Sequence, residues 1–405
     1  TDNSTTATFS AITTAGMFLG ALVGGIIGDK TGRRNAFILY EAIHIASMVV
    51  GAFSPNMDFL IACRFVMGVG LGALLVTLFA GFTEYMPGRN RGTWSSRVSF
   101  IGNWSYPLCS LIAMGLTPLI SAEWNWRVQL LIPAILSLIA TALAWRYFPE
   151  SPRWLESRGR YQEAEKVMRS IEEGVIRQTG KPLPPVVIAD DGKAPQAVPY
   201  SALLTGVLLK RVILGSCVLI AMNVVQYTLI NWLPTIFMTQ GINLKDSIVL
   251  NTMSMFGAPF GIFIAMLVMD KIPRKTMGVG LLILIAVLGY IYSLQTSMLL
   301  ITLIGFFLIT FVYMYVCYAS AVYVPEIWPT EAKLRGSGLA NAVGRISGIA
   351  APYAVAVLLS SYGVTGVFIL LGAVSIIVAI AIATIGIETK GVSVESLSID
   401  AVANK

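Results

Sequence analysis

Charged residues are scarce in this chain. Asp, Glu, Lys and Arg make up 12% of its 405 residues, against about 25% in soluble domains. Residues 276–323 contain no charged residue, and the run 205–230 contains only Lys210 and Arg211. A bilayer crossing needs ~20 predominantly apolar residues, so such runs suit a lipid solvent. The scarcity argues against a soluble enzyme and predicts an all-α polytopic membrane protein.

Cysteine and histidine are also few. The four cysteines lie in apolar stretches without paired spacing, so we expect neither a disulfide framework nor a metal site. No nucleophile–base set or nucleotide-binding loop is present, so we expect no enzymatic activity and no cofactor. The single histidine, His44, follows Glu41 by three residues. We expect a structural hydrogen bond there, with a titrating histidine as the alternative.

The excess of positive charge is distributed in a way that argues against nucleic acid as a partner. The net charge is +7, but the basic residues cluster in alternate loops. This alternation is the positive-inside pattern, which predicts that the basic loops lie in the cytoplasm. The clusters are Lys30, Arg33 and Arg34; Arg89, Arg91 and Arg97; many between Arg146 and Arg211; Lys271, Arg274 and Lys275; and Lys333 and Arg335.

Apolar segments between these loops predict eleven spanning helices. They cover residues 7–28, 35–54, 58–86, 93–121, 125–147, 205–239, 246–269, 276–295, 298–323, 337–361 and 364–386. The loop charge then places the amino terminus outside and the carboxyl terminus in the cytoplasm. In the third helix, Gly68, Gly70 and Gly72 predict a close approach to another helix.

The chain also repeats itself. Asp29, Arg33 and Arg34 recur as Asp270, Arg274 and Lys275. A second pair of segments repeats in the same way: Glu84 to Pro87 with Arg91, and Glu326 to Pro329 with Arg335. The repeat predicts two parallel halves related by an axis along the membrane normal.

Two motifs carry a resemblance to a known family. Residues 149–155 read Pro-Glu-Ser-Pro-Arg-Trp-Leu, and residues 28–34 read Gly-Asp-Lys-Thr-Gly-Arg-Arg. Together they resemble the major facilitator superfamily, in its branch of sugar porters and organic-ion transporters. The resemblance implies two pseudo-symmetric six-helix bundles, and hence a first helix that is missing before residue 1.

The resulting domain prediction has four parts. Residues 1–147 form an amino-terminal bundle, 148–204 a cytoplasmic linker, 205–387 a carboxyl-terminal bundle and 388–405 a tail. Within the linker, alternating charges over 156–178 predict an amphipathic helix, and 179–200, rich in Pro and Gly, a flexible segment.

Charged residues at the cytoplasmic helix ends are candidates for a gate, by resemblance to the gating loops of the family. Opposite charges on the two halves would pair when those ends close, and opening inward would break the pairs. The alternative is that they only anchor helix ends at the interface. The candidates are Asp29, Arg33, Arg34, Glu84, Arg91, Glu150, Arg153, Asp270, Arg274, Glu326 and Arg335.

Arg345 is the leading candidate for substrate contact. It lies near the middle of the predicted helix 337–361, where an arginine costs about 2.5–3.5 kcal/mol on insertion scales. A guanidinium in a cavity can hold a carboxylate with two hydrogen bonds. The family resemblance adds that organic-anion members carry arginine at the corresponding place in residues 344–348, Gly-Arg-Ile-Ser-Gly, whereas organic-cation members tend to carry an acid. The alternatives are a pair with an acid of the missing helix, or an interfacial arginine.

Polar and aromatic residues on neighbouring predicted helices complete a candidate pocket. Amides and phenols can bind hydroxyls or carboxylates, and rings can stack on an organic body. Hydrogen bonding between helices is the alternative for each of them. They are Asn103, Trp104, Asn223, Gln226, Tyr227, Asn231, Tyr313, Tyr318 and Asn341.

The sequence therefore predicts a secondary transporter for a small organic anion, such as an aromatic or sugar acid, in the cytoplasmic membrane. Proton symport follows by family resemblance, and a monomer is expected. Sugar porters carry a glutamine pair where residues 222–227 have only Gln226, which disfavours a neutral hexose. A sugar or polyol porter, an organic-cation carrier and a non-transporting receptor remain as alternatives.

Overall fold

The computed structural model describes residues 3–85, 91–183, 199–269, 271–328 and 332–390, without the side chains of 29, 79–85, 91–96, 157, 200, 333 and 334. Within these ranges the chain is helical and contains no strand. The all-α prediction is confirmed.

The first half of the chain contributes helices α1 to α8. Their bounds are α1 Asn3–Thr31, α2 Arg33–Ala52, α3 Met57–Tyr85, α4 Arg91–Asn103, α5 Ser105–Leu116, α6 Ala122–Tyr147, α7 Pro152–Ser157 and α8 Tyr161–Thr179.

The second half contributes α9 to α16. Their bounds are α9 Tyr200–Leu203, α10 Gly206–Thr239, α11 Leu244–Met255, α12 Gly257–Val268, α13 Arg274–Ser293, α14 Met298–Val316, α15 Val324–Glu326 and α16 Lys333–Ile385.

These helices account for the predicted spans. Nine helical segments of the described chain are long and apolar enough to cross a membrane, and one of them, Arg335–Ile385, contains 51 residues. A non-helical Gly363, with φ 67° and ψ −161°, divides α16 into two spans, between the predicted helices 337–361 and 364–386. The predicted helix 93–121 corresponds to α4 and α5, which meet at Trp104.

A π-helical segment, Cys317–Tyr323, separates α14 from α15. It ends two residues before Pro325, which has no N–H to donate and whose ring crowds the preceding turn. Within the π-helical segment, the rings of Tyr318 and Tyr323 stack with centroids 5.0 Å apart.

The described chain forms two compact units. Unit 1 contains Thr1–Ala11, Thr93–Asn125 and Pro195–Lys405, and unit 2 contains Ile12–Gly92 and Trp126–Ala194. The predicted domain boundaries at 147 and 205 remain a prediction. In unit 1, α10 packs against α16, and fully buried Trp232, Phe237 and Tyr315 lie in the core.

Glycines allow pairs of helices to touch through their backbones. In unit 2, a Cβ added to Gly20 of α1 would lie 2.0 Å from the carbonyl oxygen of Val69 in α3. Gly72 of α3 meets the backbone of Met17 in the same way, which confirms the predicted close approach. In unit 1, a Cβ on Gly261 of α12 would lie 2.2 Å from the Thr310 carbonyl oxygen in α14.

The linker between the halves begins with two short helices. Ser151 caps α7, because its hydroxyl accepts from the Trp154 N–H at 3.3 Å and Pro152 occupies the first helical position. Helix α8, Tyr161–Thr179, occupies most of the segment 156–178 for which the sequence predicts an amphipathic helix. Most of the predicted flexible segment 179–200 lies outside the described residues.

Candidate functional site

Arg345 lies beside Tyr227 because two helices of unit 1 approach closely. A Cβ added to Gly344 of α16 would lie 2.8 Å from Leu219 Cβ of α10 and 3.0 Å from Asn223 Nδ2. This contact leaves the half-buried Arg345 within electrostatic range of the Tyr227 hydroxyl. In the described part of the chain, no carboxylate oxygen lies within 4 Å of the Arg345 guanidinium.

A cluster of phenols and one amide lies next to Tyr227. Tyr313 of α14 is 1% exposed, and its hydroxyl interacts with Gln226, Tyr227 and Tyr106. The rings of Tyr106 and Tyr313 meet edge to face, with centroids 5.2 Å apart. Among the described atoms, the Tyr313 hydroxyl has no partner at hydrogen-bonding geometry. The site therefore combines a guanidinium, an amide and three phenols.

Four of the predicted pocket residues are linked by electrostatic interactions, Arg345 with Tyr227 and Tyr313 with both Tyr227 and Gln226; their role in substrate binding remains a prediction. The structure adds Tyr106 of α5, which the sequence analysis missed. The available signal was a ring with a polar tip in an apolar helix, three residues after Asn103.

Three of the predicted asparagines donate to their own helices. Each amide bonds the carbonyl oxygen four residues earlier: Asn103 bonds Ser99 at 2.7 Å, Asn223 bonds Leu219 at 2.7 Å and Asn341 bonds Ser337 at 2.8 Å. Asn223 is also buried against Gly344, so its visible role is packing between α10 and α16.

Three further predicted pocket residues lie apart from this cluster. Asn231 is exposed on α10. Trp104 is 41% exposed, with its ring edge-on to Phe100 and Phe256. Tyr318 is fully buried, and its hydroxyl occupies the space in which Gly278 of α13 lacks a side chain. The structure does not bring these three side chains to Arg345.

We call the helix ends that the basic loops join the basic ends. In unit 1, the basic ends carry an ion pair. Arg274 is 5% exposed and holds the Glu326 carboxylate with two bonds, Nε to Oε2 at 3.0 Å and Nη2 to Oε1 at 3.1 Å. It also donates to the Met269 carbonyl oxygen. The Thr389 hydroxyl donates to Glu326 Oε2 at 2.6 Å. Glu326 is therefore paired within its own unit.

Another carboxylate caps the same helix. Glu388 accepts from the backbone N–H groups of Arg274 at 2.8 Å and Lys275 at 3.1 Å. These are the first N–H groups of α13, which have no intrahelical partner. Glu388 is not among the residues that the sequence indicates.

Unit 2 has the corresponding cap. The Glu150 carboxylate accepts from the N–H groups of Arg33 at 2.7 Å and Arg34 at 3.3 Å, at the start of α2, and from its neighbour Ser151 at 2.9 Å. The Arg34 guanidinium donates to the Trp145 carbonyl oxygen at 2.5 Å. These bonds join the beginning of α2 to the end of α6.

The other gate candidates are described only in part. The side chains of Asp29, Glu84, Arg91 and Asp270 lie outside the described residues. Arg153 is exposed and Arg335 is half-buried. Pairing between the two halves remains a prediction.

Glu41 and His44 lie inside α2. Their facing atoms, Oε2 and Nδ1, are 3.7 Å apart, which is too long for a hydrogen bond. Neither atom has a hydrogen-bond partner among the described residues. The expected structural hydrogen bond is therefore wrong.

Comparison with known proteins shows which family this architecture belongs to. The family described as sugar (and other) transporter matches residues 1–401. The chain is a member of that family. It is 44% identical over 399 residues to the inner membrane metabolite transport protein YdjE of Escherichia coli K12, which covers 98% of this chain and 87% of YdjE.

Other similarities agree with this assignment. The niacin transporter NiaP of Acinetobacter baylyi is 26% identical over 385 residues, covering 95% of this chain and 85% of NiaP. A partially occluded inward-open structure of the xylose transporter XylE from E. coli matches the fold with a TM-score of 0.77 at 18% identity, covering 96% of this chain and 89% of XylE. This sugar transporter family member is thus a secondary transporter with the major facilitator fold.

Proposed function

We propose that this transporter moves a small organic anion across the cytoplasmic membrane by alternating access, with its basic ends in the cytoplasm and Arg345 as the anion-binding group. One observation carries the proposal. Arg345 is a half-buried guanidinium on a spanning helix, and in the described chain no carboxylate lies within 4 Å of it.

The cost of burying a charge supports this role. An arginine in a spanning helix is expensive and usually faces a cavity or a partner. A substrate carboxylate would supply a partner with two acceptor oxygens, which match the planar guanidinium. The charge would then be compensated when substrate is bound.

The neighbouring groups suit an organic acid with a ring. The rings of Tyr106 and Tyr313 meet edge to face, and an aromatic or sugar ring could pack against them. Gln226 and the Tyr227 hydroxyl supply polar contacts beside the guanidinium. The similarity to a niacin transporter fits this chemistry, since niacin is an aromatic acid.

A neutral sugar or polyol is the second candidate. Relatives include a probable inositol transporter of Arabidopsis thaliana, 27% identical over 292 residues. The amide and phenols around Tyr313 could bind hydroxyl groups. In that case the Arg345 charge would be dispensable for transport.

Proton coupling is the proposed energy source, and Glu41 with His44 are the proposed proton-carrying groups. Glu41 lies eight residues after Arg33, which begins α2, so it is ~12 Å along the helix from the basic end. It is 8% exposed. Ionisable residues buried at such depth in membrane proteins are commonly functional.

The gate is proposed at the basic ends. For Glu326 to pair with a cation of the other half, it would have to exchange the two bonds that it makes with Arg274. Giving up these bonds to the buried Arg274 would cost about 1–3 kcal/mol, which a new pair with the other half would offset, so the exchange is compatible with a reversible gate.

Counterflow uptake in proteoliposomes tests the substrate class. The substrates are an aromatic acid, a sugar acid, a hexose and a quaternary amine, and the proteins are wild type, Arg345→Gln, Arg345→Lys and the control Lys210→Gln. Lys210 is exposed on α10, so its variant loses one charge away from the site. We expect acids to be taken up by wild type and by the control, with a large loss in Arg345→Gln. Hexose uptake unaffected by Arg345→Gln would favour the sugar porter and contradict the anion assignment.

Coupling needs a separate measurement. Glu41→Gln should abolish accumulation driven by a pH gradient while leaving counterflow exchange intact, because exchange needs no net proton movement. Gradient-driven accumulation at the wild-type level in Glu41→Gln would remove Glu41 from the mechanism.

A further inference from the structure

A polar cavity lies at the basic end of unit 2. Its volume is about 580 Å³. It is bounded by the start of α2, the end of α6 and the linker helices α7 and α8. Its basic side chains are Arg34, Arg146, Arg160 and Lys166, and its acidic side chains are Glu150 and Glu163.

Both acids already have partners. Glu150 accepts from the N–H groups that begin α2. Glu163 binds Arg160 with two bonds of 2.8 and 2.6 Å, and this hydrogen-bonded cation holds the pKa of Glu163 below its ordinary value. Arg34 retains a buried Nε without a hydrogen-bond partner in the described chain. The cavity therefore favours an anion.

An apolar groove of about 770 Å³ runs between the same two helices. Its α2 wall extends from Ile38 to Val50 and its α6 wall from Leu138 to Trp145. Twelve residues of helix correspond to ~18 Å, and one leaflet of the hydrocarbon core is ~15 Å thick. The groove has the length of a lipid acyl chain.

The groove and the cavity adjoin along both helices. On α6, Trp145 lines the groove and the next residue, Arg146, lines the cavity; on α2, Ile38 lines the groove and Asn35 lines the cavity. Trp145 and Tyr147 are 64% and 73% exposed. Exposed aromatic residues of this kind mark the membrane–water interface. A ligand with a charged head and an apolar tail fits this order of surfaces.

We propose that an anionic phospholipid binds here, with its phosphate in the cavity beside Arg146 and Lys166 and one acyl chain in the groove between α2 and α6. A free phosphate would leave the groove unused, and a neutral lipid would leave the excess positive charge uncompensated. The bound lipid would contact α8 and both spanning helices, and so attach the linker helix to the bundle. This site is separate from the proposed substrate site.

Lipid titration of the full chain in detergent, followed by native mass spectrometry, tests the proposal. The ligands are phosphatidylglycerol, phosphatidylcholine and inorganic phosphate. We expect wild type to prefer phosphatidylglycerol over phosphatidylcholine by about fivefold for each basic side chain that the headgroup meets. Equal binding of the two lipids would overturn the proposal.

Three double variants separate the head from the tail. The double variant Arg146→Gln with Lys166→Gln should lose the preference for phosphatidylglycerol. The control double variant, Arg177→Gln with Lys181→Gln, changes two exposed positions at the end of α8 and just beyond it, and it should retain the preference. The double variant Ala42→Phe with Ala46→Phe should fill the groove and weaken the binding of both lipids. Arg146→Lys, which keeps the charge, serves as the folding control.

Two results would contradict a lipid site. If inorganic phosphate competes fully with phosphatidylglycerol and the filled groove changes nothing, the cavity is a phosphate site. If the Arg146 and Lys166 double variant folds and keeps the wild-type preference, the lipid binds elsewhere.

Discussion

Glu388 has the same relationship to Arg274 that Glu150 has to Arg33. Each carboxylate accepts the N–H of the arginine that begins a spanning helix, at 2.8 Å for Glu388 and 2.7 Å for Glu150. The two arginines are 241 residues apart and the two glutamates 238. The internal repeat therefore includes the bonds that join the last span of each half to an earlier one.

These two caps should stabilise the protein to a similar extent. Loss of a capping carboxylate costs about 0.5–2 kcal/mol, so Glu150→Gln and Glu388→Gln should each lower the Tm of the purified transporter. Glu156→Gln is the control, because Glu156 is an exposed residue of α7. A Tm unchanged in both cap variants would contradict the role given to the carboxylates.

The Glu388 cap should also make stability depend on pH. Burial works to raise the pKa of Glu388, but N–H bonds from Arg274, Lys275 and Lys390 and the charge of Arg274 together hold that pKa below its ordinary value of 4.5. A carboxyl of this kind stabilises the folded state above the unfolded pKa, and the contribution is lost as the pH falls below it.

Tm measured from pH 7 to pH 3 tests this dependence. Wild type should lose more stability than Glu388→Gln below about pH 4.5, because glutamine does not titrate. An equal loss in the two proteins would assign the acid sensitivity to other groups.

The recurrence of the cap could be predicted only in part. The arginine positions repeat visibly, so the sequence alone indicates Arg274. The segment around Glu388 reads Ile-Glu-Thr-Lys and lacks both prolines, the arginine and the tryptophan that mark the copy at Glu150. What persists is the carboxylate at the helix end, and a single glutamate in a polar tail gives little sequence signal.

Gly261 should not tolerate a side chain. A Cβ there would lie 2.2 Å from the Thr310 carbonyl oxygen, and overpacking costs about 1–3 kcal/mol. A Cβ added to Gly280 in α13 would have no neighbouring atom within 4 Å, so alanine there should stabilise by about 0.5–1 kcal/mol. Opposite Tm shifts for Gly261→Ala and Gly280→Ala are expected, and shifts of the same sign would contradict the close contact of α12 and α14.

The ion pair of Arg274 and Glu326 should contribute more to the stability of the protein than the pair of Arg160 and Glu163 at the start of α8. Glu326→Gln removes the carboxylate charge from the two bonds that Glu326 makes with the buried Arg274, at a cost of about 1–3 kcal/mol. Arg160 and Glu163 form a closer pair, at 2.6 Å against 3.0 Å, but their side chains are 48% and 56% exposed, so Glu163→Gln should leave the Tm unchanged.

A double-mutant cycle of Arg274→Met and Glu326→Leu checks the cause. If the pair is responsible, the double variant should be more stable than the sum of the single losses predicts. Additive losses would mean that the two residues act separately.

Helical spacing alone could not show which polar residues belong to the candidate site and which bond their own helix. Tyr227 and Asn223 lie on one face of α10, but Tyr227 interacts electrostatically with Arg345, whereas the Asn223 amide bonds its own helix. A short polar side chain can satisfy itself on the carbonyl oxygen four residues earlier, and the sequence does not reveal which side chains do so. Tyr106 was missed because it joins the cluster through tertiary packing of α5.

The most direct test of the account is the affinity of the transporter for an acid and for its uncharged amide. The acid preferred in counterflow and its amide differ in charge at one group, so their ratio of Kd values isolates the contribution of Arg345. We predict that wild type prefers the acid by about 10–100-fold, the range of a charge-assisted hydrogen-bonded contact, and that Arg345→Gln binds both alike. A wild-type transporter that binds both equally, or an unchanged preference in Arg345→Gln, would contradict the account.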